Sequence, residues 1–434
     1  MKDGNGGWMG RLRSAGPASR RPRLHEGEDG AGPGAAVASA FDPRDALRDR
    51  IGSTALAFRG YDVTNLGRSR ELLEHREYGP VVEEVLAEAS AITSDTLGES
   101  IDLAAYVRAG TATRLEDFPH DVATIVAMEL AQVRLLEEFF DVPVRSARMS
   151  FGYSIGELAA LVLGGSFRLD ELLPVPLALA DDCASLAADT TMGILFTRSP
   201  VLPEADVLRL CEAVSEEGQG FVAPSAFLSP NTVLLLGQGR TIDRVQDMMK
   251  EYLPEKAMLR RNPNHWPPLH TPLVRCRNIP NRTAIALYAI AGARPIPRPP
   301  VLSCATGKFY TDALSCRETL VKWTERPQRL WDAIEATLSS GVGTVIHVGP
   351  APNLVPATFA RLSNNVNKHL GNRYLRGIVS SMHRHSWIAS LLPQRAALLR
   401  APFLEHIILE DWLLDGPVVE ARGARKQAIE SQPA

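Results

Sequence analysis

Residues 148–165 read RMSFGYSIGELAALVLGG, and the serine at 154 stands between two glycines where an apolar run meets a helix-forming one. The core, Gly152–Tyr153–Ser154–Ile155–Gly156, has the form G-x-S-x-G. A nucleophile held between a strand and a helix needs a sharp, strained turn, and side chains at the flanking positions would clash. The same turn sets the serine at a helix N-terminus. There the positive end of the dipole and free backbone N–H groups, such as that of Ile155, favour an oxyanion. A serine in a glycine-rich turn satisfies the same five letters. The context points to the elbow: the run before it is strand-like and the run after it is strongly helical. Glu157, in the first helical turn, reads as a capping charge.

Working outward, the chain alternates strand and helix signals. Upstream, TALAFRG (54–60) reads as a short buried strand, and GPVVEEVLAEASAI and DVATIVAMELAQVRLLEEFF carry helical spacing. Downstream, VLSCATGKFY resumes a strand, PQRLWDAIEATLSSG is an amphipathic helix stopped by glycine, and VGTVIHVGP is an apolar strand ended by Gly349–Pro350. Such alternation implies an α/β fold with a mostly parallel sheet. Between these parts lies a second pattern over residues 191–262. MGILFTR, PEADVLRLCEAVSEEG, GFVAPSAFLSP, NTVLLLGQ, TIDRVQDMMKEYL and KAMLRRN follow the order strand–helix–strand–strand–helix–strand. That order is the split βαβ of ferredoxin-like units. The expected organisation is a large α/β-hydrolase-like domain, discontinuous over 50–190 and 263–390, with an inserted ferredoxin-like βαββαβ subdomain at 191–262. A tail at 1–45 reads as disordered, and 391–434 as a C-terminal extension and tail. Within that extension, FLEHIILEDWLLDG is ambiguous between helix and strand.

Composition narrows the function. The 434 residues are 45% hydrophobic and 22% charged, with a formal net charge of −3. No basic excess points to nucleic acid, no polybasic cluster to anionic membrane, and no apolar stretch is long enough to span a bilayer. The five cysteines form no CxxC pair, which fits a reducing cytosol. A cytoplasmic location is expected.

A serine nucleophile needs a base, normally histidine. His25 lies in the N-terminal tail, His75 and His120 in polar stretches, and His347 in an apolar strand. His369 and His406 have no supporting context. His383 and His385 lack a surrounding Cys, Asp or Glu cluster and do not read as a metal pair. His270, in NPNHWPPLHTPLV directly after the inserted unit, has prolines on both sides that stiffen its backbone. His265 is a rival in the same segment.

Taken in order, GYSIGELAALVLGG, the inserted unit, LHTPLV and VIHVGPAPNLVPATFARL resemble the malonyl-CoA:acyl-carrier-protein transacylases and the acyltransferase domains of polyketide synthases. The resemblance spans residues 53–385. It implies acyl transfer from acyl-CoA (malonyl-CoA or a related thioester) to the phosphopantetheine thiol of an acyl carrier protein, through an acyl-serine. Ser154 would be the nucleophile and His270 the base. Backbone N–H groups of Ile155 and Tyr61 would form the oxyanion hole, and the backbone carbonyl of Arg329 would orient the histidine. The partners implied are acyl-CoA and the carrier protein, with no cofactor.

The resemblance also has departures. Tyr153 stands where the family has histidine, and Phe58–Arg59–Gly60–Tyr61–Asp62 replaces FPGQG. The position of the arginine that grips a substrate carboxylate falls on Leu179, and a pocket asparagine position on Leu228. With Tyr153 and Leu269 these would line the substrate pocket. Leucine cannot hold a carboxylate, so the acyl group is expected to differ from malonyl unless Arg168, Arg198, Arg260 or Arg261 reaches in. Two rivals stay open: a serine hydrolase or thioesterase, and a non-catalytic homologue acting as a scaffold.

Overall fold

The computed structural model describes residues 45–110, 114–198, 200–292, 295–311, 313–375 and 396–416. Most of both expected tails, together with His25, His383 and His385, lies outside the described residues. Ten strands run β1 Thr54–Phe58, β2 Met149–Gly152, β3 Thr190–Phe196, β4 Val222–Ser229, β5 Thr232–Gln238, β6 Met258–His265, β7 Val301–Ser303, β8 Lys308–Phe309, β9 Thr344–Val348 and β10 Glu405–Ile408.

They form two sheets. The larger has the order β10-β9-β1-β2-β7-β8, and every neighbouring pair is parallel except the β7–β8 hairpin. β1, β2 and β9 are buried at every position, which is why they read as unbroken apolar runs and not as alternation. The smaller sheet has the order β4-β5-β3-β6 and is antiparallel throughout. With helices Glu204–Glu216 and Thr241–Tyr252 it makes the βαββαβ unit of the ferredoxin-like type, inserted into the larger α/β layer.

The helix Phe118–Phe140 is the spine of the large layer. Pro119 and Asp121 suit its first turn, and its residues are buried almost all round. Among the described residues no helix is long and apolar enough to cross a membrane.

The C-terminal segment departs from the expected boundary at residue 390. Glu405–Ile408 pairs in parallel with β9 and extends the main sheet, and Leu409–Leu414 turns at once into a helix. The ambiguous period of FLEHIILEDWLLDG arises because it holds both elements in succession. Glu410 anchors the turn by accepting the N–H of Ala351 at 2.7 Å and of Arg68 at 3.0 Å.

Candidate active site

The site begins with the register of β1 and β2. Phe58 lies opposite Gly152, and the Tyr153 N–H donates to the Phe58 carbonyl at 3.0 Å. The chain leaving β1 therefore runs beside the serine turn. A Cβ on Gly152 would meet the carbonyl carbon of Gly156 at 2.0 Å, and one on Gly156 would meet the Arg59 oxygen at 2.2 Å. Both positions need glycine because backbone packs directly on backbone. Ser154 sits at φ 56°, a left-handed conformation that a residue with a Cβ adopts only when its surroundings impose it. Two groups impose it here. Gln328 Oε1 accepts the Ser154 N–H at 3.0 Å, and Trp323 Nε1 donates to the Ser154 carbonyl at 2.9 Å.

His270 is also held at positive φ, 67°, with its N–H donating to the Thr324 carbonyl at 2.7 Å. Its Nε2 lies 2.7 Å from Ser154 Oγ, and its Nδ1 lies 2.7 Å from the Trp323 carbonyl oxygen. A carbonyl can only accept, so Nδ1 carries the proton and Nε2 is left free to take one from the serine. Burial holds the His270 pKa down at about 4, against a smaller upward pull from the Trp323 carbonyl, so the ring is neutral near pH 7. The Gln328 amide nitrogen packs 3.1 Å from the same Nδ1, which already has a proton directed at Trp323.

The orienting carbonyl is thus that of Trp323 and not that of Arg329. Arg329 precedes the helix Leu330–Ser339, and its carbonyl is consumed by the N–H groups of Asp332 and Ala333. Its side chain turns to Asp332 and Glu204. Trp323 lies in the last turn of the helix Ala313–Glu325, where carbonyls lose their partners. The residue four places on is Pro327, which has no N–H to offer. That spacing was the available sequence signal for Trp323. Gln328, fully buried, carried none.

The backbone N–H groups of Tyr61 and Ile155 donate to no partner among the described residues, and both residues line the cleft. The loop carrying Tyr61 is braced by Arg59, which the sequence reading passed over. Arg59 is completely buried, and its guanidinium donates to the carbonyls of Gly60 and Pro350 at 2.7 Å and to Asn65 Oδ1 at 2.8 Å. Glu157 is no solvated cap. It is fully buried, takes the Tyr310 hydroxyl and the Cys304 N–H, and is raised by burial to about 7.

The free volume of the cleft is about 80 Å³. Tyr153, Leu179 and Leu269 line it, as expected, beside Ser154 and His270. Leu228 does not. It is buried in the core under the smaller sheet, and Ser225, in a bulge between Pro224 and Ala226, faces the cleft from that strand instead. His265 sits on β6 with Nδ1 3.3 Å from the Thr190 carbonyl, away from the serine. His347 and His406 pair with each other at 3.0 Å inside the main sheet.

Known proteins support what this geometry points to. No protein-family model matches the chain. It is 26% identical over 302 residues to polyketide synthase GfsA of Streptomyces halstedii, covering 69% of this chain and 4% of the synthase. It is 28% identical over 316 residues to the spectinabilin polyketide synthase system protein NorB of Streptomyces orinoci, covering 70% and 13%. The chain therefore spans a small part of those relatives. It is 26% identical over 307 residues to the malonyl CoA-acyl carrier protein transacylase of Salmonella typhimurium, covering 70% of this chain and 91% of that protein. The fold matches FabD from Acinetobacter baumannii with a TM-score of 0.59 at 23% identity, over 72% of this chain and 91% of that one. In sequence the chain is similar to an acyl-carrier-protein transacylase over most of that protein's length, and it shares the fold of FabD.

None of the four arginines that could have substituted at Leu179 reaches the cleft. Arg168 pairs with Asp170 and Arg261 with Asp243, while Arg198 and Arg260 are exposed. None of the four lines the cavity.

Proposed function

We propose that the chain transfers an acyl group from acyl-CoA to the phosphopantetheine thiol of an acyl carrier protein through an acyl-serine. In the first half, Ser154 Oγ bonds to the thioester carbonyl carbon and gives its proton to His270 Nε2. The carbon–sulfur bond then breaks, and the proton passes to the departing CoA thiolate. In the second half the carrier thiol gives its proton to His270, its sulfur bonds to the acyl carbon, and Ser154 recovers its proton as the ester bond breaks. The backbone N–H groups of Tyr61 and Ile155 receive the oxyanion in both halves. The observation that carries this reading is the 2.7 Å contact of Ser154 Oγ with an imidazole whose other nitrogen is fixed by a carbonyl.

A malonyl-transacylase solved in complex with its type II polyketide synthase acyl-carrier protein matches this fold with a TM-score of 0.56, and supports a carrier protein as acceptor. The five cysteines form no disulfide, which supports a cytoplasmic setting. Intact-mass measurement after incubation with acyl-CoA, followed by addition of a holo carrier protein, tests the proposal. The expected result is a serine adduct that moves to the carrier. An adduct released only to water would make the chain a hydrolase, and a Ser154 that no fluorophosphonate labels would make it a scaffold.

A further inference from the structure

We propose that the acyl group carried by this site is an uncharged hydrocarbon chain and not a dicarboxylic half-thioester such as malonyl; this inference rests on the acyl-serine reading above. Beyond the serine, the walls are Phe118 and Val122 from the long helix, Leu179 and Cys183 from the segment after the elbow, and Met192 and Leu236 from the smaller sheet. Among the described residues no arginine, lysine, aspartate or glutamate lines the cavity. Its one basic group, His270, is kept neutral by burial. The Cys183 thiol is pushed up to about 12 and stays protonated.

The remaining polar groups are neutral donors: Ser225, the phenols of Tyr61 and Tyr153, and the Trp266 indole. The indole N–H is buried and has no partner. A single neutral donor offsets far less of the cost of burying a carboxylate than a paired cation does. Two arginines on neighbouring elements are occupied. Arg282 pairs with Asp182 and donates to the Ala178 carbonyl, and Arg275 pairs with Glu325. On the helical wall, Asp121 lies between Phe118 and Val122 in sequence, takes the Tyr106 hydroxyl at 2.9 Å and is raised by burial to about 7. A carboxylate on the acyl chain would meet no countercharge on these walls. A hydrocarbon chain would instead exchange water for apolar contacts on every side.

The test uses the full chain, incubated separately with malonyl-, butyryl- and octanoyl-CoA. The rate of mass gain on Ser154 is followed, and fluorophosphonate labelling serves as an independent measure of the nucleophile. An unpaired buried charge sets the expected gap: adducts from the apolar thioesters form at least about a hundredfold faster than from malonyl-CoA. Leu179→Arg should narrow that gap by about tenfold or more by supplying the missing cation. The wild-type comparison decides the matter even if this variant does not fold. A malonyl adduct forming as fast as the apolar ones would overturn the inference and leave the acyl-enzyme intact. Fluorophosphonate labelling with no apolar adduct would overturn the inference alone. Neither label nor adduct would overturn both it and the reading beneath it.

Discussion

Replacing Gln328 by glutamate separates two jobs that one side chain performs. Oε1 holds the Ser154 N–H at 3.0 Å, and the amide nitrogen lies 3.1 Å from His270 Nδ1. Gln328→Glu keeps an acceptor for the serine backbone but sets an acid against the imidazole. The His270 pKa is at about 4 because burial disfavours its charged form and only a carbonyl offsets this. An opposite charge within about 4–6 Å raises such a group by roughly 1–3 units. The base is then protonated over a wider range of acid pH. Fluorophosphonate labelling of Ser154, which needs no knowledge of the acyl group, should therefore lose its acid limb near pH 4 and acquire one about 1–3 units higher. Labelling near pH 8 should change little. Gln328→Leu is the control, because it orphans the Ser154 N–H at a strained φ. An unsatisfied buried donor costs about 1–3 kcal/mol, so labelling should fall by roughly 5- to 150-fold at every pH with the limb unmoved. A glutamate variant with the wild-type limb, or a leucine variant that moves it equally, would refute the positioning argument.

Three further outcomes are expected. His270→Ala should slow labelling by about 10²–10⁴-fold while leaving thermal unfolding near that of the wild type, and an unchanged rate would remove the general base. Glu157 is raised by burial from 4.5 to about 7, so the fold holds its proton more tightly than the unfolded chain does. Its stabilising share is full below pH 4.5 and is lost as pH rises through 7, by ~3 kcal/mol at 1.36 kcal/mol per unit. Urea unfolding of Glu157→Gln should show that decline removed, and the same pH slope as wild type would contradict the assignment. Gly152→Ala drives a Cβ to 2.0 Å from backbone, so it should cost more than ~4 kcal/mol and abolish labelling; a variant with wild-type melting would contradict the elbow packing.

Much of the fold was legible because it is written locally. Short apolar runs bounded by turn signals, such as 54–58 and 344–348, read as strands buried on both faces, and the turn of G-x-S-x-G excludes side chains at its flanks over a few residues. The inserted βαββαβ order was readable for the same reason, since each element announces itself by its own period. The C-terminal strand was not. Four residues of EHII acquire strand character only by pairing with β9, and a helix starts on the next residue. The site divides along the same line. Residue types and spacing nominate Ser154 and His270, but they do not say which carbonyl orients the imidazole. Trp323 takes that place over Arg329 because a helix ends there and Pro327 withholds a donor, while the Arg329 carbonyl is spent on the next helix. Leu228 and Ser225 exchange places for a similar reason: a bulge in β4 decides which residue faces the cleft. The lack of any charge around the cavity is tertiary too. Sequence leaves Arg168, Arg198, Arg260 and Arg261 as candidates, and only the assembled chain, by pairing Arg168 and Arg261 with acids and leaving Arg198 and Arg260 exposed, keeps them off the walls.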